Sequence, residues 1–173
     1  VIDSLMFDAQ YEKAIQVIDN QIRKASVADS KIILENKKAE ALIRSGNFKD
    51  AESLLKDLSS RPLSASQRAL VETNYGSLYL NQGRNDLSLE SLQSALANLQ
   101  KDNKENTLDA AQTLAYLGNL YRTTGKYAQA EEQLMRSLAI RQKYLKGNNE
   151  WIAASYNDLG LVYSQIDNDK ALE

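Results

Sequence analysis

Apolar side chains recur along this chain at spacings of three and four, as at Leu114, Leu117 and Tyr121 and again at Ala130, Leu134 and Leu138. That spacing lines one stripe of a helix. The stripes come in pairs separated by a short glycine-bearing turn, so the pattern predicts helix, turn, helix, many times over. Gly76, Gly118 and Gly160 lie 42 residues apart, inside the frames Tyr75-Gly76-x-x-Tyr79, Leu117-Gly118-x-x-Tyr121 and Leu159-Gly160-x-x-Tyr163. Gly46, Gly83 and Gly125 follow Ala39, Gly76 and Gly118 by seven residues, and five further on comes a small residue, Ala51, Ser88 or Ala130. Tyr11 and Ala14 stand 37 residues before Phe48 and Ala51, which makes the opening stretch the second half of an earlier unit.

The expected organisation is a single repeat domain with a partial unit at 1–25, units at 26–63, 64–105 and 106–147, and a partial unit at 148–173. Small residues in the first glycine column let paired helices approach closely, and the second column supplies the left-handed backbone of a helix end. The tyrosines at 79, 121 and 163 are expected to fill the gaps between units as core. Ser64 with Gln67 forms a capping box, Ser26 and Thr107 are expected caps, and Pro62 falls in a connection where its missing N–H costs nothing. Gly147 closes another helix. After Tyr163 the glycine position holds Asp167 and the small residue arrives early, at Ala171. A turn is expected there, either shortened or followed by residues, Ala171, Leu172 and Glu173, that are not native.

The stretches YLGNLYRTTGKYAQAEEQLMRSLAI and DLGLVYSQIDNDKALE resemble tetratricopeptide repeats, a helix-turn-helix unit. The 42-residue spacing is similar to the lengthened repeats of kinesin light chains and of bacterial multidomain signalling proteins. The resemblance implies an all-α fold, an α-α superhelix of antiparallel helix pairs, and a protein-binding role. In the family's chaperone-binding members a clamp of Lys, Asn and Arg holds a C-terminal carboxylate. Asn74 alone matches that pattern, with Thr73 and Tyr116 where cations belong, so no such activity is expected. The chain opens inside one unit and stops inside another, and reads as an excised piece of a longer protein.

Composition narrows the chemistry. The chain has no His and no Cys, which closes Cys/His zinc sites, thiol nucleophiles and imidazole bases. It carries 21 basic and 23 acidic residues, a net charge of −2, against the basic excess expected of a nucleic-acid or anionic-membrane surface. No apolar run approaches the ~20 residues that span a bilayer. The Gly-Lys at 125–126 lacks the spacing and hydroxyl of a phosphate loop, and Glu131 and Glu132, adjacent on a helix, point apart. Neither catalysis nor a cofactor is expected, and the compartment stays open.

The groove lined by the first helix of each unit is where function is expected. Its inward set is Asn36, Lys37, Glu40 and Arg44, then Asn74, Ser77 and Asn81, then Gln112, Tyr116, Asn119 and Arg122, then Asn157 and Gln165. Asparagine and glutamine both donate and accept, so they pair with a peptide backbone, while Arg44, Arg122 and Lys37 select an acidic group. The reading is therefore a module that binds a protein or peptide segment in this groove, through Asn36, Lys37, Arg44, Asn74, Asn81, Tyr116, Asn119, Arg122 and Asn157. The alternative is the sensory or substrate-recruiting arm of a larger bacterial enzyme, a caspase-like peptidase or sensor kinase, with catalysis elsewhere. Self-association through uncapped ends is a third expectation.

Overall fold

A computed structural model describes residues 1–147 and 149–171, with side chains through Asp167. Asn148, Leu172 and Glu173 lie outside the described residues, and with them the expectation of non-native terminal residues. The described chain is all helix: α1 (Ile2–Phe7), α2 (Tyr11–Lys24), α3 (Ala28–Arg44), α4 (Phe48–Ser59), α5 (Ala65–Asn81), α6 (Asn85–Lys101), α7 (Leu108–Thr123), α8 (Tyr127–Tyr144) and α9 (Glu150–Ala171). No helix among the described residues is long and apolar enough to cross a membrane.

The turns inside the pairs share one geometry. Gly46, Gly83 and Gly125 adopt φ of +80°, +71° and +72°, and the next residue's N–H reaches back to Leu42, Tyr79 or Tyr121 at 2.8 Å. This is a Schellman closure, which takes up carbonyls the helix end leaves free. Ala9 completes the column, at φ +55° with Gln10 N–H on the Leu5 carbonyl at 2.9 Å, although its Cβ makes that conformation costly. Ser64 and Gln67 form the capping box, and Thr107 Oγ1 accepts from the Ala110 N–H at 3.4 Å. Ser26 does not cap: α3 starts after Val27 with no side-chain bond. Nor is there a turn at Asp167, since α9 runs unbroken to Ala171. With Asp in place of the glycine, nothing stops the helix.

Helix contacts divide the chain into two bodies, with the division between Asn98 and Leu99 inside α6. In the first body α3 packs on α2, α4 and α5. Its main core joins Ile32, Leu42, Leu55, Leu58, Val71 and Leu78, and a smaller one sets Met6 against Ala14 and Ala41. In the second body α8 packs between α7 and α9 around Ala115, Ala130, Leu134, Leu138, Leu159 and Val162.

Both bodies use the same seam. A Cβ added to Gly76 would lie 2.5 Å from Leu92 Cγ, and one added to Gly118 would lie 2.6 Å from Leu134 Cγ. The missing side chain is what lets those leucines reach 0% and 1% exposure, worth about 1.5–3 kcal/mol each. Seam serines bind first-helix carbonyls, Ser88 Oγ to Gly76 and Ser137 Oγ to Ala111, both at 2.7 Å. The tyrosine column is core only in part: Tyr121 packs against the second body's core from its edge, and none of the three rings is fully buried. Tyr79 and Tyr121 are half-buried under Arg84 and Lys126, 4.6 and 5.9 Å from the ring centroids, and Tyr163 is 43% exposed. The first two rings straddle core and solvent and take a cation from the turn that follows, while the third reaches Glu131 through its hydroxyl at 2.7 Å.

Candidate functional site

The first body places five of the expected groove residues on α3 and α5. Asn36 and Asn74 are buried, at 4% and 7% exposure, and spend their amides on the fold. Asn74 Nδ2 donates to the Asn36 carbonyl at 2.9 Å and to its Oδ1 at 3.3 Å, while Asn36 Nδ2 donates to the Ile32 carbonyl at 3.0 Å. They are a tie between α3 and α5 rather than an open amide surface. A buried amide left unpaired costs about 1–3 kcal/mol, which is why the two asparagines meet.

The cations beside them are engaged as well. Lys37 Nζ lies 2.8 Å from Asp3 and 3.5 Å from Glu40, and Arg44 lies 3.6 Å from Glu40 and 5.7 Å above the Tyr11 ring. Burial works against the charge on Lys37, but Glu40 and Asp3 outweigh it and hold its pKa above the ordinary lysine value. The carboxylate that sequence reasoning counted as one more polar position, Glu40, is the hub of this cluster. Asn81, at the end of α5, is exposed with its Nδ2 on the Ser77 carbonyl at 2.8 Å.

The second body gathers Asn119 and Arg122 from α7 with Asp158 from α9. Arg122 Nε donates to Asn119 Oδ1 at 3.4 Å, and the Asn119 amide hydrogen-bonds the Asp158 carboxyl. No carboxylate forms an ion pair with Arg122 among the described residues. Tyr116 lies half-buried on α7 close enough to act on Arg141 electrostatically. Burial pushes the Asp158 carboxyl above its usual range, opposed by Asn119, Arg141 and Arg122. Asn157 is exposed on α9 and forms no part of this cluster.

Sequence reasoning missed the group that holds these helices together. Arg141, on α8, is 4% exposed and bonds Gln112 Oε1 on α7 at 3.1 Å, and on α9 the Trp151 carbonyl at 3.1 Å and Ser155 Oγ at 2.7 Å. Its guanidinium also sits 5.5 Å from the Trp151 ring. Desolvation depresses its pKa, with Asp158 and Tyr116 opposing. The signal was there as a charge on the apolar stripe of Leu134 and Leu138, at the seam position seven after Leu134. Among the described residues no group of three or more acidic side chains is placed to hold a metal ion.

Comparison with known proteins agrees with this architecture. A family model of the tetratricopeptide repeat matches residues 67–143 and 109–173. No curated protein matches the sequence. Among solved structures, BtubC (BKLC) from P. vanneervenii aligns with a TM-score of 0.68 at 20% identity, over 99% of this chain and 69% of that one. A putative kinesin light chain with nearly identical TPR-like repeats from Podosopora anserina aligns at 0.57 and 18% identity, over 98% of this chain and 85% of that one, and a single-substitution variant of that protein aligns at 0.59. With repeat spacing, paired helices and family match in agreement, the chain belongs to the tetratricopeptide repeat family, an all-helical scaffold for protein–protein interaction.

Proposed function

We propose that the chain holds an acidic protein or peptide segment on the α7–α9 face, with Arg122 as the group that engages it. One observation carries this reading: in the first body Lys37 and Arg44 form ion pairs with carboxylates of their own chain, whereas Arg122 bonds the neutral oxygen of Asn119 and, among the described residues, forms no ion pair, Asp158 acting on it only through the field. That bond uses Nε and orients the guanidinium, leaving its remaining N–H donors for a partner carboxylate, which they fit as a fork. Asp158 behind Asn119 tethers the amide. Asn157, exposed on α9, adds a donor and an acceptor that pair with backbone whatever the side chains.

Selection from a displayed random-peptide library tests this. Peptides enriched on the wild-type chain are expected to carry Asp or Glu, and to lose about tenfold or more in affinity on an Asn119→Ala, Arg122→Ala double variant whose thermal midpoint is unchanged. Equal binding to the double variant would move the site off this face.

A further inference from the structure

We infer that acidic-segment binding at Arg122, the reading on which this inference rests, is coupled to a proton. A partner carboxylate seated there drives a proton from solvent onto the Asp158 carboxylate, so that the segment is held more tightly as the medium becomes more acidic. The geometry is one carboxylate shared by two guanidiniums. Asp158 on α9 accepts from the Asn119 amide and acts through the field on Arg122 of α7 and on Arg141 of α8. Arg141 is 4% exposed and spends its donors on neutral oxygens, Gln112 Oε1 at 3.1 Å, the Trp151 carbonyl at 3.1 Å and Ser155 Oγ at 2.7 Å. Arg122 likewise donates to a neutral oxygen, Asn119 Oδ1 at 3.4 Å. Tyr116 of α7 faces Arg141 as a further titratable group.

The charges set the sign. With Asp158 ionised, the two arginines are partly neutralised; with Asp158 protonated, both charges stand uncompensated. A partner carboxylate is therefore bound more strongly by the protonated form, and by linkage its arrival raises the affinity of Asp158 for a proton. Protonation keeps the site in shape. A neutral carboxyl still has an oxygen to accept from the Asn119 amide, so Asn119 still presents Oδ1 to Arg122.

Burial already lifts the Asp158 carboxyl of the free site above the ordinary aspartate range. Affinity is then greatest below the free-site pKa, falls as pH rises through it and through the higher value of the occupied site, and levels off above both. The partner's own carboxylate works in the opposite direction, because Arg122 lowers its pKa from about 4 and binding makes it release protons. The chain has no histidine, the side chain that ordinarily changes charge between about pH 5 and 8. Net proton uptake in that range therefore points to Asp158.

The probe is the most enriched acidic peptide from the library selection, made with acetyl and amide ends. It is titrated calorimetrically into the 173-residue chain at constant ionic strength, in buffers of different ionisation enthalpy. Affinity should rise about threefold or more between about pH 7.5 and about pH 5, with net uptake of a fraction of a proton. Asp158→Asn keeps the acceptor oxygen and removes the charge, so at neutral pH it should bind the peptide about threefold or more tighter than wild type, with no proton uptake. The wild-type proton count decides the matter even where that variant fails to fold. Peptide binding that is lost in the Asn119→Ala, Arg122→Ala variant, yet takes up no proton and ignores pH in wild type, overturns the coupling and leaves the site standing. Uptake that persists unchanged in Asp158→Asn overturns the choice of Asp158. A selection that returns no acidic peptide removes the acidic-segment reading and the coupling with it.

Discussion

The α3–α5 face and the α7–α9 face occupy equivalent places in the repeat, yet they neutralise their polar groups by different means. On the first, Asn36 and Asn74 bond each other and Lys37, Arg44, Asp3 and Glu40 form a closed set of opposite charges. On the second, one arginine, Arg141, is buried against neutral acceptors from two helices, with Asp158 as its nearby counter-charge, and half-buried Arg122 bonds Asn119 without an ion pair among the described residues. The lattice constrains shape at the seam and leaves the polar columns free to vary. A closed charge set contributes structure, whereas a cation with spare donors contributes selectivity.

The largest test of that contrast is Arg141→Met. It strips Gln112, Ser155 and the Trp151 carbonyl of a shared donor and leaves Asp158 short of a counter-charge, so the second body should lose about 3 kcal/mol or more. Trp151, the single tryptophan, reports that body directly in urea titration; an unmoved midpoint would show that the burial of Arg141 is incidental. Next comes the seam. Gly118→Leu drives atoms into Leu134 and should cost about 1–3 kcal/mol, while Gly160→Leu, with open space around it, should hold or gain up to about 1 kcal/mol. Equal effects at the two sites would break the register.

Asn74→Ala probes the first body's tie and should cost about 1–2 kcal/mol, read as faster hydrogen exchange in α3 and α5. Ala9→Gly should gain about 0.5–1 kcal/mol by removing a Cβ from a left-handed turn. The smallest effect is in pH. A carboxyl whose folded pKa lies above its unfolded value adds stability while protonated, and withdraws it as pH rises from the unfolded pKa through the folded one. Asp158 is such a group. The stability of Asp158→Asn relative to wild type should therefore climb from acidic pH towards neutrality, and parallel curves would mean that burial does not dominate at this carboxyl.

Local signals were the legible ones. The glycine columns, the capping box at Ser64 and the cap at Thr107 are written within a few residues of where they act, so sequence is enough to place them. The turn expected at Asp167 failed for the same reason: a lattice position without its glycine carries no stop. The polar residues were harder. An asparagine at Asn36 looks the same whether it faces water or a neighbouring helix, and only the approach of α5, far along the chain, decides between them. Arg141 contradicted the apolar stripe on which it lay, and its acceptors come from α7 and α9, which no local window contains.

The described inter-helix packing within each body runs between consecutive helices or those one element apart: α1 with α2, α3 with α4 and α5, α7 with α8 and α9. Such a chain has few distant ends to bring together, so loop-closure entropy adds little to its folding barrier. Refolding is expected in the microsecond-to-millisecond range typical of low contact order, and nucleation is open to any adjacent pair rather than confined to one obligatory nucleus. A stopped-flow chevron should then show substitutions in α3–α4 and in α7–α8 changing chiefly the unfolding limb, because a pair weakened in one place leaves the other free to start.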